Sequence, residues 1–227
     1  RQRGIAVLDA KGANANSVAD YVFRMLLACT EDTYCASGAL KGSPAAFKEI
    51  KKVSTRRELA SNSIGIIGLG NIGTLVARRA TAFGMQVKAY DPYVQTATHS
   101  LHEVLDCDIV TLHAQLTGET QNMIGAKELS RLKTGAILIN AARAQIIEEA
   151  PLEAFLQARP DVHAIIDVFH DEPAPCALYS LSNCTPTPHI AGNSQEAKVN
   201  AAGVISEKIL QHLTTRRLPT TAVKVHE

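Results

Sequence analysis

The sequence has almost no excess of charge of either sign, since its 227 residues carry a formal net charge of +1. This balance gives no electrostatic reason to expect nucleic acid or a membrane surface as a partner. The sequence also lacks any apolar run approaching the roughly 20 residues of a membrane span, and its first residues show no secretory signal. We therefore expect a cytoplasmic protein that binds neither nucleic acid nor membrane.

Cysteine pairs and repeats are missing as well. The five cysteines are odd in number and form no C-x-x-C pair, which indicates reduced thiols, and we predict no metal site. Basic residues gather between residues 48 and 57, but Phe47 is the one aromatic residue near them, so nucleic-acid binding has little support there. A solvated helix or connector explains this segment better.

From residue 63 onward, the sequence alternates regularly between strand-like and helical segments. The strand-like runs are nearly continuous in apolar residues and cover 63–68, 86–91, 108–113, 136–140 and 162–168. Such alternation is typical of a parallel sheet, and the continuous apolar runs indicate strands that are covered on both faces. The predicted fold class is therefore α/β, with a doubly wound parallel sheet of the Rossmann type.

Three further segments flank this region. Residues 4–10 resemble a short strand, and residues 17–30 have apolar residues at helical spacing, with Ser17 as the predicted N-cap. A last helix is predicted over about 195–213. Its apolar stripe consists of Val199, Ala202, Ile205, Ile209 and Leu213.

The stretch "GLGNIG" follows the first of these strands and opens a helix. Gly68 permits a tight turn, Gly70 lets the backbone approach a pyrophosphate, and Gly73 lets the helix pack on the strand. Asp91 ends the next strand, where an acid binds ribose hydroxyls and repels a 2′-phosphate. We predict an NAD site. The alternative is a structural glycine cluster in which Asp91 is an ordinary turn residue.

Polar residues follow three later strand-like segments, at the edge of the sheet where α/β proteins bind ligands. Taken singly, Arg143 is typical of a surface charge, Glu172 of a turn residue and His189 of a partly buried histidine. Together they fit hydride transfer between nicotinamide and a 2-hydroxy acid. The histidine would exchange the hydroxyl proton, the carboxylate would hold the imidazole, and the guanidinium would grip the substrate carboxylate.

Several ordered segments resemble the D-isomer-specific 2-hydroxyacid dehydrogenases, notably the D-3-phosphoglycerate and 4-phosphoerythronate dehydrogenase branches. They are "GLGNIG", "AFGMQVKAYDPY", "LKTGAILINAAR", "DVFHDEP" and "TPHIAG". The resemblance implies that Arg143 binds the substrate carboxylate and that His189 is the acid/base with Glu172 as its partner. The substrate would be a small 2-hydroxy or 2-oxo acid, phosphorylated or not.

The same resemblance assigns the cofactor residues. The glycine loop with Asn71 and Ile72 would hold the pyrophosphate of NAD, and Asp91 the adenosine ribose. Ala141 and Asp167 would lie near the nicotinamide. The sequence departs from the family where Ala144 follows Arg143 in place of the usual glycine.

The resemblance also implies a domain organisation. Residues 1–16 would contain the last strand of a substrate domain whose N-terminal part is absent. Residues 17–192 would form the NAD-binding domain, including a dimerisation helix, and residues 193–227 a C-terminal helix that returns to the substrate domain. We therefore expect a homodimer, and a 227-residue chain that binds NAD but turns over substrate poorly or not at all.

A second function stays open at this point. Some relatives of this family act as NAD(H)-sensing co-repressors, so the chain could be a binding regulator without turnover. A His189→Gln variant that keeps its biological activity would favour the regulator.

Overall fold

The computed structural model describes residues 7–30, 39–43, 45, 47–53, 58–173 and 176–215. Its centre is one parallel sheet, and helices lie on both faces. The strands are β1 Ser63–Ile67, β2 Gln86–Tyr90, β3 Ile109–Leu112, β4 Ile137–Asn140, β5 His163–Ile166 and β6 Cys184–Pro186. The α-helices are α1 Ala15–Thr30, α2 Phe47–Val53, α3 Asn71–Ala82, α4 Leu101–Leu105, α5 Ala126–Leu129, α6 Glu149–Ala158 and α7 Gln195–Thr215.

The strands lie in the order β2-β1-β3-β4-β5-β6, and every neighbouring pair is parallel. The predicted doubly wound sheet and its five predicted strands are confirmed. The sequence pattern did not predict β6, which is three residues long and ends in a proline. Because the chain leaves β1 for β2 on one side and reaches β3 on the other, a crevice opens at the carboxyl ends of β1 and β3.

Each face of the sheet has its own apolar core. Ile64, Ile66 and Ile109 face α1 and α3, while Val110 and Leu112 face α4, α5 and α6. All five residues of β1 and all four of β3 are buried. This explains why their sequences are continuously apolar, because a central strand between two helix layers has no solvent side.

Two local predictions differ from the structure. The N-terminus of α1 lies at Ala15, so Ser17 is inside the helix and its hydroxyl donates instead to the Ala191 carbonyl at 2.9 Å. Residues 7–10 form no strand, and residues 4–6 lie outside the described part. The helix predicted over about 195–213 is present as α7. Its apolar stripe is largely exposed, with Val199 70% and Leu213 59% accessible, so no surface in the described part of the chain covers it.

Asp108 ties the amino ends of β1 and β3 together. Its carboxylate accepts hydrogen bonds from the backbone N–H of Ser63 (2.8 Å), from the Ser63 hydroxyl (2.5 Å) and from Lys133 Nζ (2.8 Å). Partial burial acts to raise the pKa of Asp108, but the hydrogen bonds from Lys133 and Ser63 outweigh it and lower the pKa to about 2. The ionised carboxylate therefore stabilises the folded state.

We expect Asp108→Asn to lower the free energy of unfolding by about 1–2 kcal/mol at pH 7. Because the folded pKa is depressed, this stabilisation is present above the unfolded pKa of 3.8 and is lost as pH falls towards about 2. Urea unfolding of both proteins between pH 7 and pH 3 measures it. Asp20→Asn, which removes an exposed partner of Arg79, is the control and should cost less. A constant difference across this pH range would contradict the prediction.

Candidate active site

A cleft of about 1320 Å³ runs along the carboxyl edge of the sheet. Every one of the six strands is followed by a segment that contributes to its walls or rim. The predicted site residues that line the cleft are Gly68, Gly70, Asn71, Ile72, Asp91, Ala141, Arg143, Asp167 and His189. Two predicted residues do not line it: Gly73 packs behind the glycine turn, and Glu172 contacts His189.

The three glycines after β1 have three different surroundings. Gly68 has a φ of +92°, and a Cβ there would lie 2.5 Å from the backbone nitrogen of Ala114. A Cβ on Gly73 would lie 2.0 Å from the Gly68 carbonyl oxygen. At Gly70, the N-cap of α3, an added Cβ would have no neighbour within 4 Å. The first and third glycines are therefore required by the fold, whereas the second leaves open space at a helix N-terminus that faces the cleft.

Asp91 joins the end of β2 to this turn. Its Oδ2 accepts a hydrogen bond from the backbone N–H of Leu69 at 2.8 Å, and its Oδ1 accepts one from Tyr93 N–H at 2.9 Å. The carboxylate thus lies beside the glycine turn and on the cleft wall. This is the placement that an acid needs to accept hydrogen bonds from ribose hydroxyls.

His189 and Glu172 form a hydrogen-bonded pair at the rim of the cleft. The Nδ1 atom of His189 lies 2.8 Å from Glu172 Oε2, and Glu172 Oε1 accepts a hydrogen bond from the Phe169 backbone N–H at 2.8 Å. The His189 hydrogen bond is the main reason why the pKa of Glu172 lies below its ordinary value, followed by the Phe169 hydrogen bond and the charges of His189 and Arg143. Glu172 is therefore ionised at neutral pH, and Nε2 is the His189 ring nitrogen left for a ligand.

Arg143 follows β4 and lines the same cleft. Its Nη1 donates to the Ala142 carbonyl oxygen at 2.6 Å, which fixes one side of the guanidinium. A guanidinium has five N–H donors, so others are left to bind a carboxylate. The structure therefore brings together Arg143, Glu172 and His189, which are separated by up to 46 positions in the sequence.

Asp167 has a structural environment that the sequence did not reveal. It is fully buried, and its carboxylate accepts hydrogen bonds from the Thr187 hydroxyl and from the backbone N–H groups of Ile190 and Ala191. Its predicted position near nicotinamide stays a prediction, as does that of Ala141. What the structure adds is that Asp167 supports the turn that carries His189.

The cleft also has lining residues that are not among the predicted site residues. His113 directly follows β3, is 9% exposed, and contacts Thr111 Oγ1 through Nε2 at 3.0 Å, whereas its Nδ1 has no hydrogen-bond partner. Burial lowers the pKa of His113 to about 3, so the ring is neutral. Residues 9–14 form another wall. Position alone could have indicated His113, because a polar residue directly after a buried strand lies on the ligand-binding edge.

These features fit a dinucleotide. A Cβ would fill the open space at Gly70, and the unpaired Nδ1 of His113 is a buried polar atom in the cleft lining. The glycine turn with Asn71 and Ile72 would hold the pyrophosphate, and Asp91 the adenosine ribose. Among the described residues, no group of three His, Cys, Asp or Glu side chains could hold a metal ion.

The fold and this cleft define a dinucleotide-binding protein, and the comparison with known proteins gives its family. Residues 23–191 match the family model described as D-isomer specific 2-hydroxyacid dehydrogenase, NAD binding domain. The chain belongs to this family, as its motifs predicted. NAD as the cofactor is thereby confirmed.

Individual relatives agree with this assignment. The chain is 35% identical to the hydroxypyruvate reductase of Thermotoga maritima, covering 94% of this chain and 72% of the relative. It is 34% identical to the D-3-phosphoglycerate dehydrogenase of Methanocaldococcus jannaschii, covering 92% of this chain and 41% of the relative. The NAD⁺-bound 3-phosphoglycerate dehydrogenase of Entamoeba histolytica superposes with a TM-score of 0.75 at 27% identity, covering 100% of this chain and 69% of that structure.

These relatives are named as oxidoreductases, which favours the dehydrogenase over the binding regulator. The chain spans less than half the length of the Methanocaldococcus enzyme. In the part of the chain that the structure describes, no helix combines the length and the apolar character needed to cross a bilayer.

Proposed function

We propose that this chain is the catalytic and cofactor-binding part of an NAD-dependent dehydrogenase acting on a D-2-hydroxy acid. The observation that carries the proposal is the hydrogen-bonded pair of His189 and Glu172, 2.8 Å apart, on a cleft that Arg143 and the glycine turn also line. A base and a carboxylate-binding group therefore face the same space as the predicted pyrophosphate site.

The residues divide the chemistry between them. When bound, NAD supplies the acceptor for the hydride that leaves carbon 2 of the hydroxy acid. His189 takes the hydroxyl proton through Nε2, so that the product is a 2-oxo acid, and returns it in the reverse direction. Glu172 fixes the ring through Nδ1. Arg143 binds the substrate carboxylate with two hydrogen bonds and so orients carbon 2.

Hydride transfer by the purified chain tests the proposal. We expect the chain to bind NADH, measured by nicotinamide fluorescence, and to reduce at least one member of a panel of phosphorylated and plain 2-oxo acids slowly. Of the two outcomes expected from the sequence, poor turnover and none, we propose poor turnover, because His189 and Arg143 line the same cleft as the glycine turn. No turnover of any acid in the panel, in either direction, would contradict the catalytic proposal, and no NADH binding would contradict the site.

Asp91 is proposed to select NAD over NADP, and its substitution tests this part separately. We expect Asp91→Asn to weaken NAD binding about tenfold, because a charge-assisted hydrogen bond to the ribose is lost. NADP binding should weaken less, or improve, because the carboxylate no longer repels the 2′-phosphate. Titration calorimetry with both cofactors measures the ratio. Asp106→Asn, which alters an acid paired with Arg131 outside the cleft, is the matched control. An unchanged NAD/NADP ratio would refute the assignment.

A cytoplasmic location and a homodimer are also proposals. Exposed apolar side chains on and after α1, namely Leu27, Leu40 and Phe47, support α1 and the segment after it as the pairing surface. Sedimentation velocity would distinguish a dimer from a 24.3 kDa monomer.

A further inference from the structure

The turn that carries His189 has an uncommon backbone conformation. His189 has a φ of 52°, in the left-handed region that non-glycine residues rarely adopt and that persists only where the surroundings impose it. The two residues that follow show what imposes it. The N–H groups of Ile190 and Ala191 both donate to the carboxylate of Asp167, at 2.9 and 2.8 Å. The conformation of the catalytic turn thus depends on where the Asp167 carboxylate lies.

A chain of hydroxyl groups fixes that carboxylate from the other side. The Thr187 hydroxyl donates to Asp167 Oδ1 at 2.5 Å. The oxygens of Tyr21 and Thr187 lie 2.6 Å apart. Because Thr187 has a single hydroxyl hydrogen and gives it to Asp167, Tyr21 must donate to Thr187. The donors therefore run in one direction, from Tyr21 on α1 through Thr187 to Asp167.

Both ends of this chain of hydrogen bonds are buried, and α1 contacts the turn at a second point. Tyr21 is 4% exposed and Asp167 is fully buried. Burial raises the pKa of Tyr21 to about 12, so its hydroxyl remains a donor throughout the physiological range. One helical turn earlier, Ser17 donates to the Ala191 carbonyl. Two α1 side chains thus hold the segment that includes His189, from a distance of about 170 positions in the sequence.

We propose that Tyr21 and Thr187 are positioning residues, which hold the left-handed turn of His189 through Asp167 and so keep the imidazole on Glu172. The catalytic role of these two residues rests on the proposed function, whereas their hydrogen-bond geometry does not. Loss of the Thr187 hydroxyl leaves Tyr21 without its acceptor and the Asp167 carboxylate with two of its three donors. The turn can then relax, and the His189–Glu172 hydrogen bond weakens.

The test compares Thr187→Val with Thr187→Ser, Tyr21→Phe and Thr185→Val. Valine matches threonine in shape but lacks the hydroxyl, and serine restores it. The matched control is Thr185→Val, because Thr185 is two residues earlier and its hydroxyl contacts His163 Nε2 at 2.8 Å, away from the cleft. Tyr21→Phe removes the first donor without changing the ring.

Two of the readouts need no turnover. Carbon-13 NMR of labelled glutamate gives the pKa of Glu172, which the His189 hydrogen bond depresses, with Glu172→Gln identifying the signal. Nitrogen-15 NMR reports the His189 ring. We expect the Thr187→Val and Tyr21→Phe substitutions to raise the Glu172 pKa towards its ordinary value and to shift the His189 signal. Thr187→Ser and Thr185→Val should leave both unchanged. Urea unfolding measures the stability loss of each variant.

Turnover provides the third readout. We expect Thr187→Val to lower kcat about 10- to 100-fold, the scale of a misplaced catalytic group, with little change in KM, and Thr187→Ser to restore it. If Thr187→Val loses stability like Thr185→Val but leaves the Glu172 pKa and the His189 signal unchanged, the network is structural only and the inference is overturned. If the NMR signals move while even the wild-type chain turns over no acid, the proposed function fails and the positioning network stands.

Discussion

Replacing Gly73 with alanine is expected to prevent folding or to lower the free energy of unfolding by about 3 kcal/mol or more. The added Cβ would lie 2.0 Å from the carbonyl oxygen of Gly68 and 3.3 Å from Ile66 Cγ2. The nearer atom belongs to the backbone of the turn and cannot rotate away as a side chain would. Helix α3 would have to move off β1, which is buried along its whole length.

Gly70→Ala should have the opposite effect. A Cβ at Gly70 meets nothing within 4 Å, and its φ of −77° suits any residue, so the variant should fold with nearly unchanged stability. Its methyl group would project into the space proposed for the pyrophosphate. We expect the Kd for NAD to rise about 10- to 100-fold, equivalent to about 1.4–2.8 kcal/mol.

The two variants should be measured side by side, by urea unfolding and by titration calorimetry with NAD. We expect Gly73→Ala to lower the free energy of unfolding and Gly70→Ala to weaken NAD binding, because the first glycine is needed for packing and the second for the ligand. A stable Gly73→Ala variant would show that the turn is looser than the structure indicates. A Gly70→Ala variant with wild-type affinity would show that the pyrophosphate binds elsewhere.

The second large effect is expected from His189→Gln. Glutamine can still donate to Glu172, but it cannot exchange a proton, so we expect hydride transfer to fall by about 10²- to 10⁴-fold. NAD affinity should change little, because His189 is not among the predicted cofactor contacts, which are the glycine turn, Asp91, Ala141 and Asp167. Initial rates with the best acid of the panel, together with NADH fluorescence titration, separate these two effects.

Glu172→Gln is the companion variant, because it keeps the side-chain shape but removes the negative charge beside His189. We expect a smaller loss than for His189→Gln, and a changed pH dependence of the rate. If His189→Gln retained the wild-type rate, His189 would not be the acid/base, and the proposed dehydrogenase mechanism would need another proton acceptor.

The strands could be predicted because the apolar pattern that produces them lies within short stretches of sequence. The runs that became β1 and β3 are apolar at nearly every position, and strands between two helix layers need that pattern. The ordering of glycines and Asp91 also indicated the cofactor site, since each residue type fills a specific steric or electrostatic requirement. β6 was missed because Cys184–Pro186 is too short to show a period and its proline argues against a strand.

What could not be predicted depends on contacts between distant segments. Serine is a residue type favoured at N-caps, but the Ser17 hydroxyl donates a hydrogen bond to the carbonyl oxygen of Ala191, 174 positions away. The pattern of α7 correctly indicates an amphipathic helix, yet periodicity does not say what covers the apolar face, and Val199 is exposed. The network from Tyr21 to Asp167 has no sequence signature, because its members are far apart in the chain and their hydrogen bonds form only in the folded structure.

The strand order β2-β1-β3-β4-β5-β6 places two sets of cleft residues on two halves of one sheet. Segments after β2, β1 and β3 contain Asp91, the glycine turn and His113, whereas segments after β4, β5 and β6 contain Arg143, Glu172 and His189. Under the proposed function, coenzyme choice and acid–base chemistry therefore depend on separate sets of loops. Replacing the loops that follow β1, β2 and β3 should change the preferred nucleotide and leave Arg143, Glu172 and His189 in their present positions.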